Sequence, residues 1–579
     1  MYILKQMKLQ ITLTVICLIL GAASITVCTT GVPVLVQSTN GALVPKASLA
    51  SACASSDVAN KTIYLMGYTP VFSNLSTPTN VAIRPVFNGY IDNQGYNVTF
   101  KGPVEFVRHK MLAGTGNFTF NGSHGAFFPE MWGVQMYPTA AAAVASGTAT
   151  ANTTAMNKAI TDVYNSNSNA SYLTSGGEIN IASGVLITGA VTAVGKPNVS
   201  FAGQGNSSTM WLSSGSVNPL LALGKSTGSA QAYYFYIRDI WFQGGGAANS
   251  LLNINYAAYF NISRIQIQND ASTVTAMSTY GSLSYSMRDS IIKGGTSFAL
   301  DVNGNNATND VANNITIDNC EINAGTGGIG VRFSACNGVR MRGGAIEHSP
   351  GGGMQITATD SSGVGETVLL DGVWFEDNGG KDLEILGGTN FSNIVVARDL
   401  IMIGNNSTST YGIYINGSGG GGAGTTAKIY NSQISNHATK DIYNTGTGAK
   451  YYYDCVAGSI TTDALTYYNT YPTGVGGPRL PNTLVYSGST NLPTGATPTL
   501  PAGNVFATAN GGATNVTQLL GGIDGQSVTL FGADGGNTTI KNSGASAGQI
   551  SMTGDVTLVN TKILILQNYN GVWYKAGGN

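Results

Sequence analysis

Short runs of alternating apolar and polar residues dominate the chain from about residue 60, and Gly, Asn and Ser separate them. Two examples are NVTFKGPVEFV from Asn97 and GNFTFNGS from Gly116. Alternation with a period of two is typical of β-strands that bury one face. The pattern therefore predicts a chain built mainly of short strands and turns.

One stretch, TTAMNKAITDVYN from Thr153, has helical periodicity instead. Its apolar stripe, at a spacing of three and four residues, is Ala155, Met156, Ala159, Ile160 and Val163. Asn152 or Thr153 is available as the N-cap. This predicts one short α-helix, followed by the strand-turn-strand sequence GGEINIASGVLITG.

Eight segments between Phe235 and Asn436 repeat one pattern, in which an apolar anchor lies in the middle of a short strand. The anchors are Phe242, Ile267, Ile292, Ile322, Ile346, Phe375, Ile403 and Ile434, at steps of 25, 25, 30, 24, 29, 28 and 31 residues. A drifting period of this length is typical of a parallel β-solenoid, and parallel crossovers are right-handed. We predict an all-β fold: a right-handed parallel β-helix with one short capping α-helix and a small C-terminal β domain.

The composition agrees with stacked coils. Charged residues make up 9% of the 579 residues and Gly contributes 78, whereas about 25% charged residues and about 7% Gly are usual. Equivalent residues of successive coils lie about 4.8 Å apart, so columns of like charge would repel. The low charge excludes a coiled coil, and a net charge of −1 gives no electrostatic footprint for nucleic acid.

The N-terminus has the pattern of a secretory signal peptide. Lys5 and Lys8 precede an apolar run from Leu9 to Ala23 that ends in small residues. Because the run is short for a membrane span, we predict a signal peptide over residues 1–23 and no stable span. The protein would then be secreted, extracellular or on the cell surface, with an uncleaved anchor as the alternative.

Shifts in composition divide the remaining chain. We assign residues 24–135 to an N-terminal β-rich prelude with the first coils, and residues 136–468 to the parallel β-helix. A Pro/Gly-rich linker covers residues 469–503, and residues 504–579 form the small C-terminal β domain.

Three stretches resemble the entry of a known fold. They are FFPEMWG from Phe127, the helix containing AMNKAI with the GGEINIASGVLITG that follows, and KPNVSFAGQGNSSTMWL from Lys196. Over roughly residues 60 to 450 the chain resembles the pectate-lyase-like superfamily of single-stranded right-handed β-helices. That superfamily includes secreted polysaccharide lyases and hydrolases and the tailspikes of bacterial viruses. The resemblance implies the β-helix fold and a polysaccharide partner.

The C-terminal segment resembles the small β domain that closes some tailspikes and secreted β-helix proteins. It has a GG-x-x-GQ-x-x-x-L pattern and a WY pair near its end. In those proteins the domain serves trimerisation or carbohydrate contact, so the resemblance implies a homotrimer as one option. A plain solenoid cap is the alternative.

Alternation places the residues beside each anchor on the outward face of the coils. Around three consecutive anchors these positions, together with the position that follows them, gather five ionisable groups and one indole, which is unusual in a chain with 9% charged residues. The candidate site residues are Glu321, Glu347, His348, Trp374, Glu376 and Asp377. Glu347 and Glu376 are expected to lie directly above one another.

This residue set suits polysaccharide cleavage. Two glutamates about 4.8 Å apart by coil spacing lie near the separation of about 5–5.5 Å used in retaining glycoside hydrolysis, and flexible side chains allow the wider inverting spacing. The residues assigned to catalysis are Glu347, Glu376, Asp377 and His348, and those assigned to substrate binding are Trp374 and Glu321. The glutamates would supply an acid and a base or nucleophile, and His348 a base in a lyase reaction. The indole would offer a flat face to a sugar ring.

Other interpretations of these residues stay open. The glutamates could be turn residues that face water or cap backbone amides. No cofactor is predicted; calcium is an option that would draw on Glu376, Asp377 and Asp382, and the cysteines form no CxxC pair for zinc. Five corner aspartates are expected to make turns through side-chain to backbone bonds: Asp239, Asp289, Asp318, Asp371 and Asp399.

The sequence thus predicts a secreted or surface β-helix protein that binds polysaccharide, with cleavage by a lyase or glycoside hydrolase reaction as the leading enzymatic option. One alternative is a non-catalytic adhesin or structural surface protein. Another is a tailspike-like receptor-binding protein of a virion, in which the N-terminal run would not be a signal peptide. No nucleic-acid partner is expected.

Overall fold

The computed structural model divides into two compact units, residues 1–301 and residues 302–579. The predicted signal peptide and residues 473–489 and 501–503 of the predicted linker lie outside the described residues, and the domain boundaries stay predictions. The described residues are 34–37, 41–55, 62–86, 88–121, 126–166, 176–228, 231–245, 250–269, 274–304, 311–357, 367–387, 393–405, 407–417, 425–446, 450–457, 459–461, 466–472, 490–500, 505–522, 524–560 and 562–578.

Small sheets of short strands begin the first unit. In Val98–Phe100, for example, the two apolar residues are buried and the Thr between them is half-buried, as alternation requires. The strands of this region are Val34–Gln37, Leu43–Lys46, Thr62–Leu65, Tyr68–Pro70, Leu75–Ser76, Ala82–Pro85, Tyr90–Asp92, Val98–Phe100, Leu112–Ala113, Phe118–Phe120 and Met136–Tyr137.

The helices of the described residues also lie in the first unit. They are the α-helices Leu49–Cys53, Ala140–Ala145 and Ala149–Asn165 and the 3-10 helix Pro129–Trp132. The longest of them is the predicted helix, and four residues of its expected stripe are buried: Met156, Ala159, Ile160 and Val163. No helix of the described residues is long and apolar enough to cross a membrane.

The predicted N-cap of the long helix is wrong. The helix begins at Ala149, with Thr148 in the N-cap position, and Asn152 lies inside it. The buried Asn152 side chain accepts a hydrogen bond from the Gln135 N–H and donates to the carbonyls of Gln135 and Ile187. Asn152 therefore ties the helix to the chain around it instead of starting the helix.

Parallel strands at three positions per coil build a right-handed parallel β-helix, which confirms the predicted fold class. We call the positions ladders 1, 2 and 3, in the order in which each coil visits them. In the first unit, ladder 1 contains Gly177–Asn180, Val199–Ala202, Tyr236–Arg238, Asn261–Ser263 and Leu283–Arg288; ladder 2 contains Gly184–Thr188, Thr209–Ser213, Trp241–Gln243, Gln266–Asn269 and Ile291–Gly294; ladder 3 contains Val191–Val194, Leu221–Gly224, Leu252–Asn255, Thr275–Tyr280 and Phe298–Asn303. The short strands Gln231–Ala232 and Ala257–Ala258 pair beside ladder 1.

The second unit repeats this arrangement. Its ladder 1 contains Ala312–Asp318, Cys336–Arg342, Thr367–Asp371, Ile394–Arg398, Thr426–Tyr430, Lys450–Ala457 and Thr466–Pro472; ladder 2 contains Glu321–Asn323, Ala345–Glu347, Trp374–Glu376, Ile401–Ile403 and Gln433–Ser435; ladder 3 contains Ile329–Ser334, Gly352–Thr357, Lys381–Leu386, Tyr411–Gly417, Lys440–Gly446 and Ile460–Thr461.

The strand register confirms most of the predicted anchors and corrects one. Stacked, fully buried anchors are Phe242, Ile267 and Ile292 in the first unit and Ile322, Ile346 and Phe375 in the second. The anchor at Ile403 is wrong, because Met402 pairs with Phe375 and Ile434 and is fully buried. Ile403 instead lies above Glu376 on the outward face. Met402 and Ile403 are both apolar, so the sequence pattern does not show which of them is buried. A shift of one residue exchanges the two faces of a strand.

The role predicted for the corner aspartates is wrong for three of them. Each accepts two hydrogen bonds from an Arg one coil further on, at 2.6–2.9 Å: Asp239 from Arg264, Asp318 from Arg342, and Asp371 from Arg398. Asp399 accepts a hydrogen bond from the Asn431 side chain at 2.6 Å. The coil spacing places a guanidinium against the carboxylates of Asp239, Asp318 and Asp371, and such paired charge-assisted bonds are stronger than a neutral turn bond.

The C-terminal β domain follows in the second unit. Fully buried Trp573 is central to its core, and the indole N–H donates to the Leu519 carbonyl at 2.9 Å. Its strands are Thr490–Asn491, Val505–Ala507, Thr514–Val516, Ser527–Phe531, Thr538–Ile540, Ile550–Ser551, Val556–Thr557, Ile563–Tyr569 and Val572–Gly578.

Candidate functional site

Glu347 and Glu376 are direct neighbours on ladder 2 of the second unit. They are Cα partners in adjacent parallel strands, and the buried anchors Ile346 and Phe375 precede them. Because side chains alternate along a strand, burial of the anchors turns both glutamates outward. The structure therefore brings these two predicted site residues together.

The two carboxylates have different partners. A Glu376 oxygen (Oε2) accepts a hydrogen bond from the Trp374 indole N–H at 3.1 Å. A Glu347 oxygen (Oε1) lies 3.9 Å from His348 Nδ1, and His348 Nε2 lies 3.8 Å from an Asp377 oxygen. His348 therefore links Glu347 in one coil to Asp377 in the next.

Backbone conformation fixes where His348 and Asp377 lie. Both follow the last residue of a ladder 2 strand and have left-handed φ angles of 50° and 51°. The His348 N–H donates to the Glu376 carbonyl at 3.1 Å, and the Asn405 side chain donates a hydrogen bond to Asp377. Asp and His tolerate this conformation better than most residues. The two side chains are therefore held at the same corner of neighbouring coils.

Trp374 and Glu321 share the other outward column of ladder 2. Trp374 is 38% exposed, which leaves part of the indole open to a ligand. Ala345 lies between the two residues in the column, because it pairs with Glu321 on one side and Trp374 on the other. Glu321 is therefore two coils away from Trp374 and stands apart from the cluster of Glu347, Glu376 and their partners.

The residues suggested for calcium do not come together. Asp382 is fully buried, accepts a hydrogen bond from Asn378 at 2.9 Å and contacts His437 at 2.8 Å. Glu376 and Asp377 face outward, so the calcium interpretation is wrong for Asp382. Within the described ranges, no group of three or more His, Cys, Asp or Glu side chains is arranged to hold a metal ion.

A buried Asp-His-Asp cluster joins the coil of Glu376 to the coil two further on, and the sequence analysis missed it. The two ring nitrogens of His437 are each 2.8 Å from a carboxylate, one of Asp382 and one of Asp441. Burial opposes a charge on the ring, yet hydrogen bonds and the negative charges of the two aspartates raise the pKa of His437 to about 9. His437 is fully buried, so this cluster stabilises the coils and is closed to substrate.

Asn405 is a further residue of this corner, to which the sequence analysis assigned no role. It belongs to the turn after ladder 2, and nothing in its sequence context distinguishes it from the many other Asn residues of this chain. Only the stacking of one turn above another shows that it contacts Asp377.

Comparisons with known proteins give distant likenesses of structure. No protein-family profile and no curated protein matches the chain. The mannuronan C-5 epimerase A-module of Azotobacter vinelandii aligns with 59% of this chain and 90% of its own, at 13% identity and a TM-score of 0.43. The catalytic unit of a GH87 alpha-1,3-glucanase from Streptomyces thermodiastaticus aligns with 60% of this chain and 66% of its own, at 14% identity and a TM-score of 0.40. Likenesses this distant assign no activity to the chain.

Proposed function

We propose that the protein binds polysaccharide across ladder 2 of the second unit and cleaves it with Glu347 and Glu376. The observation that carries this proposal is the direct pairing of the two outward glutamates beside the exposed indole of Trp374. We further propose that the protein belongs to the pectate-lyase-like superfamily and is secreted or displayed at the cell surface.

The partners of the two carboxylates suggest distinct roles. Glu376 accepts the indole N–H, so it is the group we assign as base or nucleophile, which must be ionised to act. Glu347 lies beside His348, and we assign it as the general acid that protonates the leaving oxygen. The coil spacing of about 4.8 Å is close to the carboxylate separation of a retaining hydrolase.

A lyase reaction is the second chemical route through the same residues. The His348 side chain is 61% exposed, and its Nε2 atom lies 3.8 Å from an Asp377 oxygen. A neutral imidazole oriented by a carboxylate can remove a proton from a sugar carbon next to a carboxyl group. The products distinguish the two routes, since elimination leaves an unsaturated sugar and hydrolysis leaves a saturated one.

The test is degradation of a panel of acidic and neutral polysaccharides by the full chain and by Glu347→Gln, Glu376→Gln and the double variant. Each single variant should lose roughly 100-fold or more in rate, as expected for removal of a general acid or base. Reducing ends report every cleavage, and ultraviolet absorbance of unsaturated uronides reports elimination alone.

The matched control is Glu105→Gln, which removes an exposed glutamate of the first unit and should leave the rate unchanged. Retained cleavage in the double variant would refute the glutamate site. A folded chain that binds polysaccharide without cleaving it would support the non-catalytic adhesin instead.

A further inference from the structure

A second candidate site lies on ladder 1 of the second unit, away from the glutamates. Its outward residues line a shallow cavity of about 690 Å³. Three arginines contribute to it, Arg340, Arg342 and Arg398, together with Asp371 and an apolar floor of Leu369 and Val396. We call this surface the arginine groove.

One cation of the arginine groove, Arg340, has no ion-pair partner among the described residues. Arg342 and Arg398 are held in ion pairs with Asp318 and Asp371. Arg340 is exposed and makes no hydrogen bond or ion pair with any residue in the part of the chain that the structure describes. Hydrogen bonds from Arg398 and the fields of the other arginines lower the pKa of Asp371. The groove thus offers positive charge to an anion.

The same groove offers surfaces that fit sugar rings. Arg340, Leu369 and Val396 are Cα partners in successive coils, so the apolar floor begins one coil from the unpaired cation. Tyr430 lines the groove and stacks on Tyr453, with ring centroids 4.8 Å apart. Tyrosine rings present a flat apolar face together with a hydroxyl. A sugar ring that contacts Leu369 would place its own acidic substituent within reach of Arg340.

We propose that the arginine groove binds an anionic polysaccharide, with a carboxylate or sulfate group on Arg340 and sugar rings along Leu369, Val396 and Tyr430. Carboxylates such as Asp371 and Asp399 accept hydrogen bonds from the hydroxyls that the units of a glycan carry and that a DNA backbone lacks. This composition favours a glycan over a nucleic acid. The proposal does not depend on cleavage by the glutamates, since it concerns a different ladder.

Binding of matched oligosaccharides to the full chain tests the groove. The probes are oligogalacturonate with its methyl ester, and a sulfated galactan oligosaccharide with its desulfated form. At least one charged probe should bind more tightly than its neutral counterpart. The Arg340→Gln variant should lose roughly 10- to 100-fold in affinity for that probe, the effect of one charged hydrogen bond, and added salt should weaken binding.

A control variant separates this site from other exposed arginines. Arg288→Gln removes an exposed arginine from ladder 1 of the first unit and should keep the affinity of the parent chain. Equal binding of charged and neutral probes, unchanged affinity in Arg340→Gln, or no binding of either charged probe would overturn the proposal. A single-stranded oligodeoxynucleotide that binds as tightly as the glycans would overturn it in favour of a nucleic-acid site.

Discussion

At the residue scale, the hydrogen bond between Trp374 and Glu376 joins the proposed binding surface to the proposed reaction. The indole N–H donates to the carboxylate, while the exposed part of the ring is open to a sugar. The two functions of Trp374 can therefore be separated by substitution, because Phe keeps an aromatic face and lacks the N–H donor.

We expect Trp374→Phe to bind polysaccharide nearly as well as the parent chain and to cleave it about 10-fold more slowly, since the carboxylate loses one hydrogen bond. Trp374→Ala should weaken binding as well. Steady-state kinetics with separate KM and kcat values check this. An unchanged kcat in Trp374→Phe would show that the hydrogen bond does not orient Glu376.

At the element scale, a turn between ladders 2 and 3 and two strands of ladder 3 hold the buried His437 cluster. Glycines make room for it: a Cβ on Gly404 would lie 2.6 Å from the His437 ring, and one on Gly412 would lie 2.9 Å from it. The imidazole is therefore packed between neighbouring turns and bonded to Asp382 and Asp441 at 2.8 Å each. The charge state of one ring should control the stability of this part of the β-helix.

The folded-state pKa of His437 is about 9, above the ordinary value of 6.5. Its contribution to stability should be complete below about pH 6.5 and should be lost as the pH rises through about 9, a change of about 3 kcal/mol. Urea unfolding between pH 6 and pH 10 measures this change. Asp382→Asn removes one negative charge and lowers the folded-state pKa of His437, so the variant should lose less stability and complete the loss at a lower pH; identical profiles for the two proteins would refute the assignment.

At the scale of the whole molecule, the C-terminal β domain exposes apolar side chains. The most exposed are Tyr569 at 64%, Val559 at 43% and Ile563 at 41%. We predict that the chain forms a homotrimer through this domain, which would bury them against other copies.

Light scattering after size-exclusion chromatography should give three times the monomer mass for the full chain and a lower mass for Val559→Lys. Val274→Lys, which changes an exposed valine of the first unit, is the matched control and should leave the mass unchanged. A monomer in the parent chain would refute the trimer and favour the plain cap.

Much of the fold was determined by the sequence itself, because alternation and a repeat of 24 to 31 residues act locally and specify strands and coils. The pairing of Glu347 with Glu376 could also be predicted from the sequence, because each glutamate directly follows a bulky buried anchor. Where two apolar residues adjoined, as at Met402 and Ile403, the pattern was ambiguous. Only the tertiary structure decided the contacts between coils: the Arg-Asp pairs, the bond from Asn405 to Asp377 and the burial of His437. Those contacts join residues 24 to 55 positions apart, and variable turn lengths decide which of them meet.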